Sequence, residues 1–232
     1  MLFDEPASGE PSVEQPALRL LTIRAADSDG HRSSAHVLVS RMYAGRGYPS
    51  APLAETQPPG RITLIGTDHD VARGTITIGF NGSDALLADD CFRDILDGLR
   101  REGLVVCEFI KLAIDGIGRS RRVLASLFHT AFIYAHQIKG CDRIVIEVNP
   151  RHVRFYEEML GFAVLTAERL NHRVNAPAVL LSLDLSFAER QILKIPGATP
   201  QKFKVQRSLY RHGFSHDEAE GIVRRFQRRA RL

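Results

Sequence analysis

Glu108 interrupts an otherwise apolar run at residues 104–114, which makes it the carboxylate best suited to chemistry in this chain. Burial disfavours the ionised form, so a carboxylate there has its pKa raised toward the range of a working general base. The alternative is a pair with Lys111 or an arginine that only neutralises a sheet edge. Tyr156 offers a phenol, which donates a hydrogen bond or proton without bringing a competing charge; otherwise it is a surface hydroxyl on an amphipathic helix. Asn149 closes a β-branched run just before Pro150, at a strand's carboxyl end, where open α/β sheets bind their ligands. A plain strand-ending turn residue is the other reading. Gly116-Ile117-Gly118 precedes Arg119, Arg121 and Arg122 at a helix start; free helix N–H groups and guanidinium charge there can hold a phosphate, or the glycines merely make a turn. His129 and His136 stand seven apart with no third ligand in evident reach, so no metal site is expected.

The elements that must position these groups are legible from periodicity. Residues 18–25 and 62–66 read as strands, 33–42 as a helix, and 48–60 as a long Pro-rich loop. Thr67-Asp68-His69-Asp70 is a turn signal before a second β-branched run at 71–80, hence a hairpin. Phe92, Ile95, Leu96 and Leu99 recur at helical spacing, with Asp89 or Asp90 able to cap the start and Gly103 to stop the chain. The nearly continuous apolar run at 104–114 suits a strand buried on both faces. Leu124, Leu127, Phe128, Ala131, Ala135 and Ile138 then form one helical stripe that ends before Gly140. Strand, helix, strand over 104–148 is a βαβ unit, so its strands are parallel. Strands near 163–166 and 178–185 complete an α/β fold with a mixed, twisted sheet and flanking helices. In the strand at 104–114, period two puts Glu108 and Lys111 on opposite faces unless a bulge changes the parity.

At 232 residues and 44% apolar content the chain can bury one good core with an appendage. No apolar run approaches the ~20 residues of a membrane span. Residues 1–16, acidic and rich in Pro, Ser and Gly, read as a disordered tail rather than a signal peptide. Cys91, Cys107 and Cys141 are odd in number and widely spaced, as expected of buried thiols in a reducing cytoplasm. Net charge is +4, yet residues 201–232 hold nine Lys/Arg against three acids. Ser215-x-x-Glu218 is a capping box just after Gly213, which can serve as the left-handed cap of a helix from about Lys202. A basic helical hairpin therefore follows the sheet domain. It docks an anionic protein partner, contacts nucleic acid, or presents a solvated face; no base-reading motif accompanies it, so nucleic acid is the least favoured partner.

Three stretches taken together carry a resemblance: Glu108-Phe109-Ile110-Lys111-Leu112-Ala113-Ile114-Asp115, Asn149-Pro150-Arg151-His152-x-x-Phe155-Tyr156, and Asn175-Ala176-Pro177-Ala178-Val179-Leu180-Leu181. Their order and spacing resemble the FeeM-type N-acyl amino acid synthases of the GCN5-related N-acyltransferase superfamily. Arg41-x-Tyr43 with Gly47-Tyr48, and Glu108-x-x-Lys111 in place of Glu-x-x-Arg, also look like the acyl-homoserine-lactone synthases. The common motif Tyr-x-x-x-Gly-Phe is altered, since Tyr156 lies five residues before Gly161 and Phe155 competes for its position.

The resemblance covers roughly residues 17–186 and implies a three-part chain: tail, N-acyltransferase domain, and a basic extension at 187–232. It implies direct attack of an amine on a thioester, with the fourth and fifth strands splayed around a pantetheine arm. The implied donor is acyl-phosphopantetheine on an acyl carrier protein, or acyl-CoA; the acceptor is an amino acid, and no tightly bound cofactor is expected. Glu108 and Tyr156 would then be catalytic, the first as base or acceptor contact, the second as acid. Asn149, Gly116, Gly118, Arg119, Arg121 and Arg122 would hold the pantetheine and its phosphate. Arg41, Tyr48, Lys111 and His152 would bind substrate, Arg41 through a bidentate grip on a carboxylate. Ala113 stands where coenzyme A users carry a Gln or Arg, which suits one phosphate more than a diphosphate. The rivals are an acyl-CoA N-acetyltransferase and a non-catalytic acyl- or carrier-protein-binding module.

Overall fold

A computed structural model describes residues 21–45, 47, 58–82, 85–115, 120–194 and 208–229. The expected N-terminal tail, most of the loop at 48–60 and the start of the helix expected from Lys202 lie outside them. Eight strands, β1 (Thr22–Ala25), β2 (Arg61–Asp68), β3 (Val71–Phe80), β4 (Val106–Ile114), β5 (Arg143–Val148), β6 (Ala163–Val164), β7 (Arg169–Asn171) and β8 (Ala176–Asp184), form a sheet in the order β1-β2-β3-β4-β5-β8-β6, with β7 also on β8. Among the described strands only β4 and β5 run parallel. The helix that links them, α3 (Ser120–Phe132), continues as a π turn through Ile138, as the apolar stripe and βαβ reading require.

The two faces carry different helices. Leu64, Ile76, Ile78, Cys107 and Phe109 pack on Leu127 and Phe128 of α3. On the other face Val106, Val145 and Leu180 pack on Phe92 and Leu96 of α2 (Asp89–Arg101), and Ile65 meets Ala35 of α1 (Asp29–Ala44). The β2–β3 hairpin turns through His69 and Asp70, both at positive φ, the geometry of the tight turns that match strand twist. Short α4 (Val153–Leu160) follows a 3₁₀ turn at Pro150–His152 and ends at Gly161, which is left-handed at φ 77°. After β8, α5 (Leu185–Leu193) starts from the Asp184 cap.

The expected boundary at residue 186 falls inside α5; beyond that helix, the described part of the C-terminal extension is a 3₁₀ turn at Leu209–His212 and α6 (His216–Arg229), packed against α3 and its π turn. The capping box forms, Ser215 N–H donating to Glu218 at 2.7 Å. Gly213 departs from expectation: at φ −67°, ψ 171° it is extended and caps no left-handed helix end. A glycine suits the position because a Cβ would stand 3.0 Å from His129 Nδ1. That nitrogen accepts from the Phe214 N–H at 2.7 Å, and the imidazole stacks on Phe214.

Burial lowers the His129 pKa to about 4, with Glu218 opposing weakly, so the ring is neutral when folded. The unfolded chain, with an ordinary histidine pKa near 6.5, takes up this proton first. This group therefore costs no stability above about pH 6.5 and about 3 kcal/mol below pH 4. Urea melts at pH 7 and pH 4.5 should show a loss that a His129→Gln variant, still able to accept from Phe214, largely lacks.

Candidate active site

A bulge in β4 sets the geometry. Ile110 pairs with Thr77 and Ala113 with Thr75, so Lys111 and Leu112 together face one β3 residue, Ile76. Lys111 takes φ 52°, a left-handed conformation that costs a residue with a Cβ. The β4–β5 ladder is short: Val106, Cys107 and Glu108 pair with Arg143, Ile144 and Val145, and there it stops. Beyond that point β4 stays with β3 and β5 with β8, leaving an opening between two parallel strands edged by backbone polar groups.

Glu108 sits at the apex of this opening, 1% exposed, on the α1/α2 face. Its Oε1 accepts from the Leu87 N–H at 2.9 Å and its Oε2 from the Ala88 N–H at 3.1 Å. It thus provides the anion that a helix N-terminus favours. The expected Asp cap of α2 does not form: Ala88 is the N-cap, and Asp89 instead accepts from Leu86 N–H and from both ends of the Arg100 guanidinium. Burial raises the Glu108 pKa, with the two helix amides pulling it back. Gly79 makes room, since a Cβ there would lie 2.7 Å from Glu108 Oε1.

Tyr156 turns inward on α4, ringed by Phe128, Phe155 and Phe162, while Phe155 is 39% exposed. Counting from Asn149 therefore finds the inward residue. Burial, with a smaller contribution from Tyr43 of α1, raises the Tyr156 pKa to about 12. Asn149 is already engaged: Oδ1 accepts from Arg151 N–H at 3.2 Å and Nδ2 donates to Pro177 O at 3.4 Å. His152 is exposed and its Nε2 meets Arg151 Nε at 3.2 Å. The Arg41 guanidinium lies 2.6 Å from Asp115 at the end of β4, so an acceptor carboxylate would have to replace that partner.

Arg121 and Arg122 are exposed in the first turn of α3. His212 has its pKa lowered by burial and then by Arg211, Arg122 and Arg121, which places the extension's 3₁₀ turn in one cationic cluster with the α3 start. Gly116, Gly118, Arg119 and Tyr48 lie outside the described residues.

The model of the FeeM N-acyl amino acid synthase family matches residues 34–184. The chain belongs to this family. The solved structure of FeeM, an N-acyl amino acid synthase from uncultured soil microbes, is 28% identical, with a TM-score of 0.65 over 72% of this chain and 93% of that one. Escherichia coli ElaA (10% identity, TM-score 0.54, covering 71% and 100%) and aminoglycoside 6'-acetyltransferase type Ii (14%, 0.51, covering 72% and 97%) share the fold. No curated protein matches the sequence. The fold is thus that of the GCN5-related N-acyltransferases, and the protein is an N-acyltransferase. Among the described residues no helix is long and apolar enough to cross a membrane.

This family member carries a polar cluster that residue types alone did not single out. Glu147, two residues beyond Val145 on β5, shares the α2 face with Glu108 and is bonded by Asn171 Nδ2. Arg173, in the turn after β7, reaches Glu147 Oε2 at 2.6 Å, Asp90 Oδ2 at 2.6 Å and the Leu87 carbonyl. The period-two rule would have flagged Glu147 as facing the α2 side. Nothing local ties Arg173 to it across 26 residues of chain.

Proposed function

We propose that this N-acyltransferase moves a fatty acyl group from the phosphopantetheine thioester of an acyl carrier protein to the amine of an amino acid. The observation that carries the donor assignment is the β4–β5 opening together with the cationic cluster of Arg121, Arg122 and Arg211 at the α3 start. An extended pantetheine arm can pair its amides with the strand edges of such an opening, and its phosphate with guanidinium groups at a helix N-terminus. Ala113, buried and without a polar side chain, supports one phosphate rather than a diphosphate. Arg119 and the glycines of the 116–118 loop, with Asn149 through its backbone, complete the pantetheine site in this proposal.

The acceptor enters from the α1/α2 face, where Glu108 supplies negative potential for its ammonium; Arg41, Tyr48, Lys111 and His152 are its binding residues in this proposal. Tyr156 acts as a hydrogen-bond donor to the departing sulfur. With a pKa of about 12 against about 8.5 for an ordinary thiol, full proton transfer would run uphill by about 5 kcal/mol. It therefore stabilises the thiolate and keeps its proton.

The far end of the extension contributes less to docking. Phe226 packs on Tyr134, about 20 Å along the helix from Arg121 at 1.5 Å per residue. An Arg121→Glu/Arg122→Glu double variant should raise KM for acylated carrier protein at least about tenfold, chiefly through encounter, as charge steering does. An Arg225→Glu/Arg228→Glu variant should change it far less. Equal effects from both pairs, or none from the first, would contradict this docking site.

A further inference from the structure

Acyl transfer to an amino acid needs a proton acceptor, because an ammonium has no lone pair. The geometry points to Glu147 as that acceptor and to Arg173 as its positioning residue, an inference that rests on the acyl-transfer reading above.

Glu108 is the less accessible of the two carboxylates, buried where Glu147 is only partly so. Both of its oxygens are bonded to the amides that open α2, and only 1% of the residue is exposed. Glu147 lies where the ladder has ended, on the β5 rim of the opening and on the same face. Its side chain is 9% exposed, with one oxygen on Asn171 and the other on Arg173. Each oxygen has a further lone-pair direction, so a bonded carboxylate can still accept a proton.

Arg173 is also shared with Asp90. One cation thus serves two carboxylates, and the cluster complements an arriving ammonium. Arg173 bonds the Leu87 carbonyl while the Leu87 N–H bonds Glu108, so one side chain fixes both carboxylates relative to the start of α2. Burial raises the Glu147 pKa, Arg173 and Asn171 lower it, and Asp90 raises it slightly. Cys91 on α2, a thiol with its own pKa raised by burial and by Glu147, Glu108 on β4, which feels Arg61, and the buried Asp89–Arg100 pair of α2 are further charged or titratable groups on this side.

The step balances. The ammonium gives one proton to a Glu147 oxygen, and the freed nitrogen forms the C–N bond as the C–S bond breaks. The remaining excess N–H proton goes to the thiolate, giving thiol and amide. Glu147 then returns its proton to water.

The test has two arms. In the first, carboxyl ¹³C NMR of glutamate-labelled protein, assigned with Glu147→Gln, should show the Glu147 pKa rising by at least about one unit in Arg173→Met and less in Arg173→Lys, which keeps the charge. In the second, Glu147→Gln should lose about 100-fold in kcat with an amino-acid acceptor, yet recover most of it with O-methylhydroxylamine, whose nitrogen is neutral at assay pH. The acid limb of the kcat/KM profile should move with Arg173→Met. Full activity of Glu147→Gln with the amino acid, or no rescue by the neutral amine, would overturn the base assignment. An unmoved carboxyl pKa would overturn the positioning role. A wild-type enzyme that acylates no amine from any thioester would refute acyl transfer itself and the base with it, while the NMR arm would still decide whether Arg173 holds Glu147.

Discussion

Glu108→Gln is expected to lower kcat/KM by about 100-fold and to cost about 2 kcal/mol of stability at the same time. From sequence alone the substitution looks innocuous to the fold, since Gln copies the shape of Glu. The structure says otherwise. Both oxygens of Glu108 accept backbone N–H groups from the start of α2, and the amide NH2 of Gln would turn one acceptor into a donor facing a donor. Burying such a mismatch costs about 1–3 kcal/mol. The activity loss follows because α2 and the Leu87–Arg173 link move with it, and a displacement on the order of 1 Å near the reacting atoms suffices for 100-fold. Chemical denaturation beside steady-state kinetics checks both halves. A Glu108→Gln enzyme of wild-type stability and activity would remove this residue from both roles.

Deleting Lys111 should abolish turnover while leaving a cooperatively folded protein. The deletion removes the extra residue of the bulge, so Leu112 alone would face Ile76 and the register before and after it is kept. A straightened β4 can extend its ladder with β5 past Glu108 and Val145, closing the opening that the donor arm needs. Lys111→Gly is the companion: it keeps the bulge, relieves the φ 52° strain by about 1 kcal/mol and loses only what the side chain contributes. Circular dichroism melts and a thiol-release assay on the two variants separate backbone shape from side-chain chemistry. Robust turnover by the deletion variant would mean that the opening does not depend on the bulge.

Much of the fold was legible because periodicity records it. The stripe from Leu124 to Ile138, the hairpin around His69 and Asp70, and the parallel β4–β5 pair all stand as the sequence predicts. The bulge was conditional in the sequence, since no residue type announces a lysine at positive φ. Three features escaped, each decided by partners distant in the chain. The α2 cap comes from Glu108, 20 residues on. Gly213 answers to His129 rather than to a helix end. β7, only Arg169–Asn171, is too short for any period to show, yet its following turn delivers Arg173. Glu108 and Tyr156 stood out by type and spacing, whereas the Glu147–Arg173 pair needed the three-dimensional neighbourhood of β5, β7 and α2.

The most direct measurement is product analysis by mass spectrometry of purified enzyme given a panel of amino acids and one acyl chain, presented on acyl carrier protein or on coenzyme A. N-acyl amino acid from the carrier-borne thioester, with coenzyme A clearly the poorer donor and product lost in the Lys111 deletion, is the predicted result. Amide formation from acyl-CoA alone, or no amino-acid product from either donor, would contradict the account.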